Sequence, residues 1–136
     1  MKEHLITVAH SPDPDDAFMF YALVAGKFDT SPFVFKHKML DIETLNQEAR
    51  RGTYPLTAIS YHAYPFVADK YYLLRCGSSI GDDYGPIIVS KEKLSKDDLR
   101  GEKIAIPGGL TTASLVLKLY EPNAQFEIAM FDKIGE

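Results

Sequence analysis

The chain has 136 residues, 46% of them hydrophobic and 25% charged, with a formal net charge of −4. This composition suits one ordinary globular domain or parts of two smaller ones, and it argues against disorder. Lys and Arg are scattered, with Arg50-Arg51 the densest pair, so no basic surface for nucleic acid is expected.

The first eleven residues lack the apolar core and small-residue cleavage site of a signal peptide. No apolar stretch approaches the ~20 residues of a membrane span. A cytoplasmic protein without a membrane partner is expected. The single cysteine, Cys76, permits no intramolecular disulfide; within the apolar run 71–76 it reads as a buried core thiol.

In chain order, residues 5–9 read as a buried strand. Asp13 is placed to cap a helix with Pro14 in its first position, and the helix runs over 17–25 to Gly26. That helix, A-F-M-F-Y-A-L-V-A, is apolar on all sides and is expected to bury more than one face. Residues 33–39 alternate as a strand. Asp41 caps a helix over 42–51 that ends at Gly52. A short strand is expected over 56–60, a helix over 61–70 with Pro65 in its first turn, and a strand over 71–76.

The polar, glycine-rich stretch 77–85 reads as a junction. Beyond it the pattern gives a strand at 86–90, a short helix at 95–100 and a strand at 103–106. A tight loop at 107–110 leads to a helix over 111–120 with Ala113, Val116, Leu117 and Tyr120 on one side, and a last strand follows at 125–130. Strands alternating with helices indicate an α/β fold with a largely parallel sheet. The expected division is a first lobe over 1–84 and a second over 85–136.

Two strand-to-helix turns stand out, because ligands in open α/β folds sit at such places. The first is S-P-D-P-D-D-A-F-M-F, residues 11–20, with three aspartates in four positions. A strong helix start explains part of this, since acids favour the positive helix end by about 0.3–1 kcal/mol each. Capping uses one carboxylate; surplus ones beside Ser11 suit the hydroxyls of a sugar-like ligand.

The second is I-P-G-G-L-T-T-A, residues 106–113. Gly108 and Gly109 permit close approach to the backbone, and Thr111 or Thr112 caps a helix whose amides suit an anion. A plain cap is the alternative. The turn lacks the G-x-x-x-x-G-K-[ST] pattern, so a small carboxylate fits better than a triphosphate.

A third feature is L-T-A-I-S-Y-H-A-Y, residues 56–64, where Ser60 is a natural cap. His10 and His62 read first as structural groups. His4 and His37 have no clustered partners in sequence, no metal-ligand spacing appears, and there is no G-x-S-x-G elbow.

Taken together, S-P-D-P-D-D-A-F-M-F-Y-A-L, D-I-E-T-L-N, P-L-T-A-I-S-Y-H-A-Y, G-P-I-I-V-S and I-P-G-G-L-T-T-A resemble the 1,4-dihydroxy-6-naphthoate synthase family of the futalosine route to menaquinone. The related chorismate dehydratases read N-Y-L-N where this chain has S-P-x-P-x-D. The resemblance implies a lyase-type conversion of cyclic dehypoxanthinyl futalosine to 1,4-dihydroxy-6-naphthoate, without a metal or organic cofactor. It implies a periplasmic-binding-protein type II fold, two lobes with a substrate cleft, the second lobe incomplete in this chain.

By that resemblance Leu56, Thr57 and Ala58 match one substrate-contacting stretch, and Thr112 and Ala113 match another. Ser11, Asp13, Asp15, Asp16, Ser60, Gly109 and Thr111 are the further cleft residues. Family members carry Cys-Pro-Asn-Asp where this chain has Asp13-Pro14-Asp15-Asp16. The family chain is longer, and its histidine proton acceptor is expected beyond Glu136, so no catalytic residue is assigned here. On this reading one aspartate caps the helix, the others face a polyhydroxy substrate, and the substrate carboxylate meets Thr111 and Thr112.

The alternative of another class is a non-catalytic protein of the same fold that binds a small carboxylate or oxyanion. Apolar surface left uncovered is expected to bring copies of the chain together.

Overall fold

A computed structural model describes residues 2–135. The chain divides into two compact units, Met1–Ile80 and Gly81–Glu136.

In the first unit the elements are β1 (His4–His10), α1 (Pro14–Val24), β2 (Phe33–Met39), α2 (Ile42–Arg51) and β3 (Leu56–Thr57), followed by a 3-10 helix at Tyr61–Phe66. The sheet order is β2-β1-β3 and both pairings are parallel. His4 faces Phe33 and His10 faces Met39; on the other side Val8 and Ala9 face Leu56 and Thr57. Parallel neighbours require crossovers, and α1 and α2 supply them. The central strand becomes more buried toward its carboxyl end, where Val8 and Ala9 are fully enclosed.

Leu45 and Ala49 of α2, with Ala63 and Val67, complete this core. Burying a leucine such as Leu45 contributes about 1.5–3 kcal/mol relative to exposure. The ends of α2 follow from its sequence. The Asp41 carboxylate accepts from the Thr44 amide at 3.0 Å, and Gly52 closes the helix at φ 72°, a conformation that favours glycine.

The second unit holds a 3-10 helix at Asp97–Leu99, β4 (Lys103–Ile106), α3 (Thr112–Tyr120), β5 (Gln125–Ile128) and a 3-10 helix at Phe131–Lys133. Strands β4 and β5 are parallel, with Lys103 facing Gln125 and Ile106 facing Ile128. Leu99, Ile106, Leu117 and Ala124 form its small core.

Several expectations are corrected. Helix α1 is not buried on more than one face: Phe18 is 85% exposed, Tyr21 and Val24 are also exposed, and the helix residue that is buried is Asp16. A sheet of three short strands covers one stripe of a helix, and hydropathy alone does not supply a second neighbour. Residues 71–76 and 86–90 have strand composition but pair with no strand among the described residues; Tyr72 is 97% exposed. Cys76 is accordingly exposed rather than a core thiol.

The helix expected over 61–70 is a short 3-10 turn with Pro65 inside it, where the missing amide prevents a longer α-helix. The helix expected at 95–100 shrinks to three residues of 3-10 helix. On α3 the buried line is Ser114 and Leu117, continuing to Glu121, while Val116 and Tyr120 face solvent. The Ser114 hydroxyl bonds the carbonyl of Gly108, which accounts for a polar residue on the buried line of the helix.

Candidate functional site

Because β1 and β3 run in parallel, the segments that leave them emerge at one end of the sheet. The Ala58 amide donates to the Ala9 carbonyl at 2.8 Å, carrying the pairing one residue past β3. The opening turn and the 58–60 turn are thus neighbours at the carboxyl end of the strands, the usual ligand end of open α/β folds.

Ser11 is buried and held at three atoms. Its amide donates to Asp16 Oδ2 at 2.6 Å. Its hydroxyl accepts from the Asp13 amide at 3.1 Å. Its carbonyl accepts from His10 Nδ1 at 2.9 Å. The three aspartates have separate situations. Asp13 stands at the N-cap position and its carbonyl receives the Ala17 amide, but its carboxylate makes no capping bond. Asp15 is exposed. Asp16, the third residue of the helix, reaches back past Pro12 to Ser11, in the manner of a capping box shifted two residues ahead of the N-cap. Burial raises the Asp16 carboxyl above its ordinary value; the Ser11 amide opposes this and the neighbouring Asp15 adds to it. One aspartate is expected to cap the helix and the others to face the substrate; the capping part is corrected, since the Asp13 carboxylate makes no capping bond, and of the other two Asp16 is turned inward to the Ser11 amide.

Behind this turn His10 is buried, with Phe20 of α1 stacked on its ring at 4.5 Å between centroids. His10 Nε2 lies 3.1 Å from His37 Nδ1 of β2. The sequence pattern gives His37 no clustered partner. The signal is the parallel register, which brings residues 10 and 37 within two positions of one another across β1 and β2.

On β3, Leu56 and Thr57 are half-buried, and the Thr57 hydroxyl donates to the Ala58 carbonyl at 3.0 Å. Ser60 does not cap the following turn with its hydroxyl. Its amide donates to Asn46 Oδ1 at 2.8 Å and its Oγ accepts from Asn46 Nδ2 at 3.0 Å. Asn46 is fully buried. Sequence reasoning assigns it no role, although a polar amide between Leu45 and Ala49 on the buried stripe of a helix is a signal of such a bond.

In the second unit Thr111 is the N-cap of α3. Its hydroxyl accepts from the Ser114 amide at 3.3 Å and donates to the Gly108 carbonyl at 2.9 Å. The Ser114 hydroxyl also reaches the Gly108 carbonyl and lies 2.8 Å from Thr111 Oγ1. Thr112 and Ala113, half-buried, form the first turn of the helix. A side chain added at Gly109 meets nothing within 4 Å, so the space over this turn is open. Gly109, Thr111, Thr112 and Ala113 are thereby gathered in one place.

His62 packs its ring edge against Phe66. A shallow recess of the second unit, lined by Ile88, Leu94, Leu99 and Tyr120 among others, includes none of the expected site residues. Among the described residues no three His, Cys, Asp or Glu side chains gather to hold a metal ion, and no helix is long and apolar enough to cross a membrane.

Residues 6–135 match the family described as Menaquinone biosynthesis. The chain belongs to that family. It is 43% identical over 115 residues to a 1,4-dihydroxy-6-naphthoate synthase of Thermus thermophilus, a stretch that covers 85% of this chain and 41% of the relative. It is 34% identical over 120 residues to the Streptomyces coelicolor protein of the same name, covering 88% of this chain and 42% of the relative. A crystal structure of an Archaeoglobus fulgidus protein superposes with a TM-score of 0.90 at 50% identity, over 96% of this chain and 48% of that one. The chain therefore spans less than half the length of these family relatives, and the α/β architecture with parallel sheets is shared with the solved structure.

Proposed function

We propose that this chain carries substrate-binding turns of a 1,4-dihydroxy-6-naphthoate synthase. The reaction is the breakdown of cyclic dehypoxanthinyl futalosine to 1,4-dihydroxy-6-naphthoate, a carbon–carbon lyase step. The observation that carries this reading is that two family relatives, 43% and 34% identical, both bear that name. The periplasmic-binding-protein type fold, with two lobes and a cleft, belongs to the same proposal.

The chemistry asks for three things: a donor set for the substrate carboxylate, partners for its hydroxyls, and a base in a water-poor setting. The open turn at Gly109–Ala113, at the positive end of α3, suits the carboxylate. The strand end Leu56–Thr57–Ala58 and the turn Ser11–Asp16, side by side past β3 and β1, suit the rest of the substrate. Asp15, exposed at that turn, is the carboxylate best placed to receive a hydroxyl. No base is assigned among the residues of these turns.

The test is calorimetric titration of the chain with 1,4-dihydroxy-6-naphthoate, with 1,4-dihydroxynaphthalene as a control lacking the carboxylate. Saturable binding of the acid, weakened by Thr112→Val, supports the reading. Equal binding of both compounds, or none, overturns it.

A further inference from the structure

The pair formed by His10 and His37 takes no part in the proposed binding turns themselves, yet it stands directly behind one of them. A carbonyl oxygen can only accept, so the proton on His10 Nδ1, 2.9 Å from the Ser11 carbonyl, is required by geometry. In an uncharged His10 the other nitrogen, Nε2, is then bare. It lies 3.1 Å from His37 Nδ1, so that atom must bring the proton. This leaves His37 Nε2 as the bare nitrogen of its own ring. That atom is buried and has no hydrogen-bond partner among the described residues. One chain of donors thus runs from His37 to His10 to the Ser11 carbonyl, and the acceptor at one end and the donor at the other both call for the His10 proton on Nδ1.

We propose that His37 is a positioning residue for the opening turn: its Nδ1–H, given to His10 Nε2, holds His10 in the tautomer that clamps Ser11. The functional half of this rests on the reading that the opening turn meets the substrate. One further proton on the pair would go to the bare His37 Nε2 and leave the Nδ1–H···Nε2 bond intact; only charge on both rings would set N–H against N–H at the 3.1 Å contact. Burial, and to a lesser degree the nearby His10, already disfavour charge on His37. The groups facing the pair are few. From α1 come Phe20, whose ring covers His10, and Asp16, which feels the charge of His10 and of Asp15. On β2, Lys36 and Lys38 alternate to the opposite side of the strand and are exposed.

The test is nitrogen NMR of the histidine rings together with the Ser11 amide signal, on the wild type, His37→Leu and His37→Asn. Asparagine keeps a donor near the Nδ1 position but does not titrate; leucine removes it. At pH 7.5 the wild type is expected to show both rings protonated at Nδ1. His37→Leu is expected to give mixed tautomers at His10 and a displaced Ser11 amide, and His37→Asn to restore both signals.

Protonation of His10 at Nε2 in the wild type, or unchanged His10 and Ser11 signals in His37→Leu, overturns the proposal. Should His37→Leu fail to fold, His37→Ala takes its place, and unchanged His10 and Ser11 signals in that variant overturn the proposal. Affinity for 1,4-dihydroxy-6-naphthoate is expected to fall about tenfold in His37→Leu and to return in His37→Asn. A wild type that does not bind the naphthoate overturns the proposed function, while the ring signals judge the clamp independently.

Discussion

The amide of Ser11 donates to the Asp16 carboxylate at 2.6 Å, across a segment in which Pro12 has no amide to offer. This bond turns an acid of the helix's first turn back toward the strand and buries it. Asp16→Ala leaves the Ser11 amide without its acceptor and is expected to cost about 1–3 kcal/mol in urea unfolding. Asp16→Asn keeps an acceptor oxygen and removes a buried charge. Its pH dependence gives the sign. The folded Asp16 carboxyl is raised, so its contribution is favourable at low pH and is lost as pH rises through 3.8 toward the folded value. Asp16→Asn should abolish that loss; an unchanged stability profile would count against the burial argument.

At the start of α2 the sign is opposite. Burial pushes the Asp41 carboxyl up, but bonds from the Thr44 hydroxyl and amide and from the amides of Asp41 and Glu43 hold it below the ordinary value. Its stabilisation is present above 3.8 and is lost as pH falls through the lower folded value. Asp41→Ala is expected to cost about 1 kcal/mol at neutral pH and to flatten the acid limb of a thermal-melting series. A steep acid limb that survives the substitution would assign it to another carboxylate.

His37 is a base whose folded value is lowered by burial. The unfolded chain therefore binds more protons below about pH 6.5, and stability rises with pH from the folded value up to that point. His37→Asn should remove this slope, read as the urea midpoint between about pH 5 and 7.

Asn46 holds Ser60 by two bonds from full burial. Asn46→Leu strands the Ser60 amide and should cost about 1–3 kcal/mol. Asn46→Asp keeps the acceptor for that amide, so a larger loss in Asp than in Leu would point to buried charge rather than to the lost bond. Naphthoate affinity measured on the same variants tells whether the 58–60 turn is held for binding or for folding.

Thr112 and Thr111 adjoin one another but should behave differently. Thr111→Val removes the cap on the Ser114 amide and the hydroxyl bond to the Gly108 carbonyl, and a fall in melting temperature is expected. Thr112→Val, at the first helical position, is expected to weaken naphthoate binding with little change in melting. If melting alone falls, Thr112 serves the helix and not a ligand.

Asp41, Ile42–Arg51 and Gly52 are legible in the amino-acid sequence because cap, amphipathic stripe and left-handed stop are all local. The same holds for β1, β2, β4 and α3, whose periodicities or caps lie within a few residues. The burial of α1, the pairing of 71–76 and 86–90, and the state of Cys76 are not legible there, since each depends on a neighbour that hydropathy does not name.

The sequence by itself determined the family, the α/β alternation and the turns where polar residues crowd, since five motifs in order carry more information than any one. Only the tertiary structure decided what those polar residues do. Asp16 rather than Asp13 makes the bond, Ser60 answers to Asn46, and His10 meets His37, which lies 27 residues away in sequence. The physical reason is that a parallel register brings distant residues to one end of a sheet. A buried donor or acceptor then takes whichever partner that register delivers.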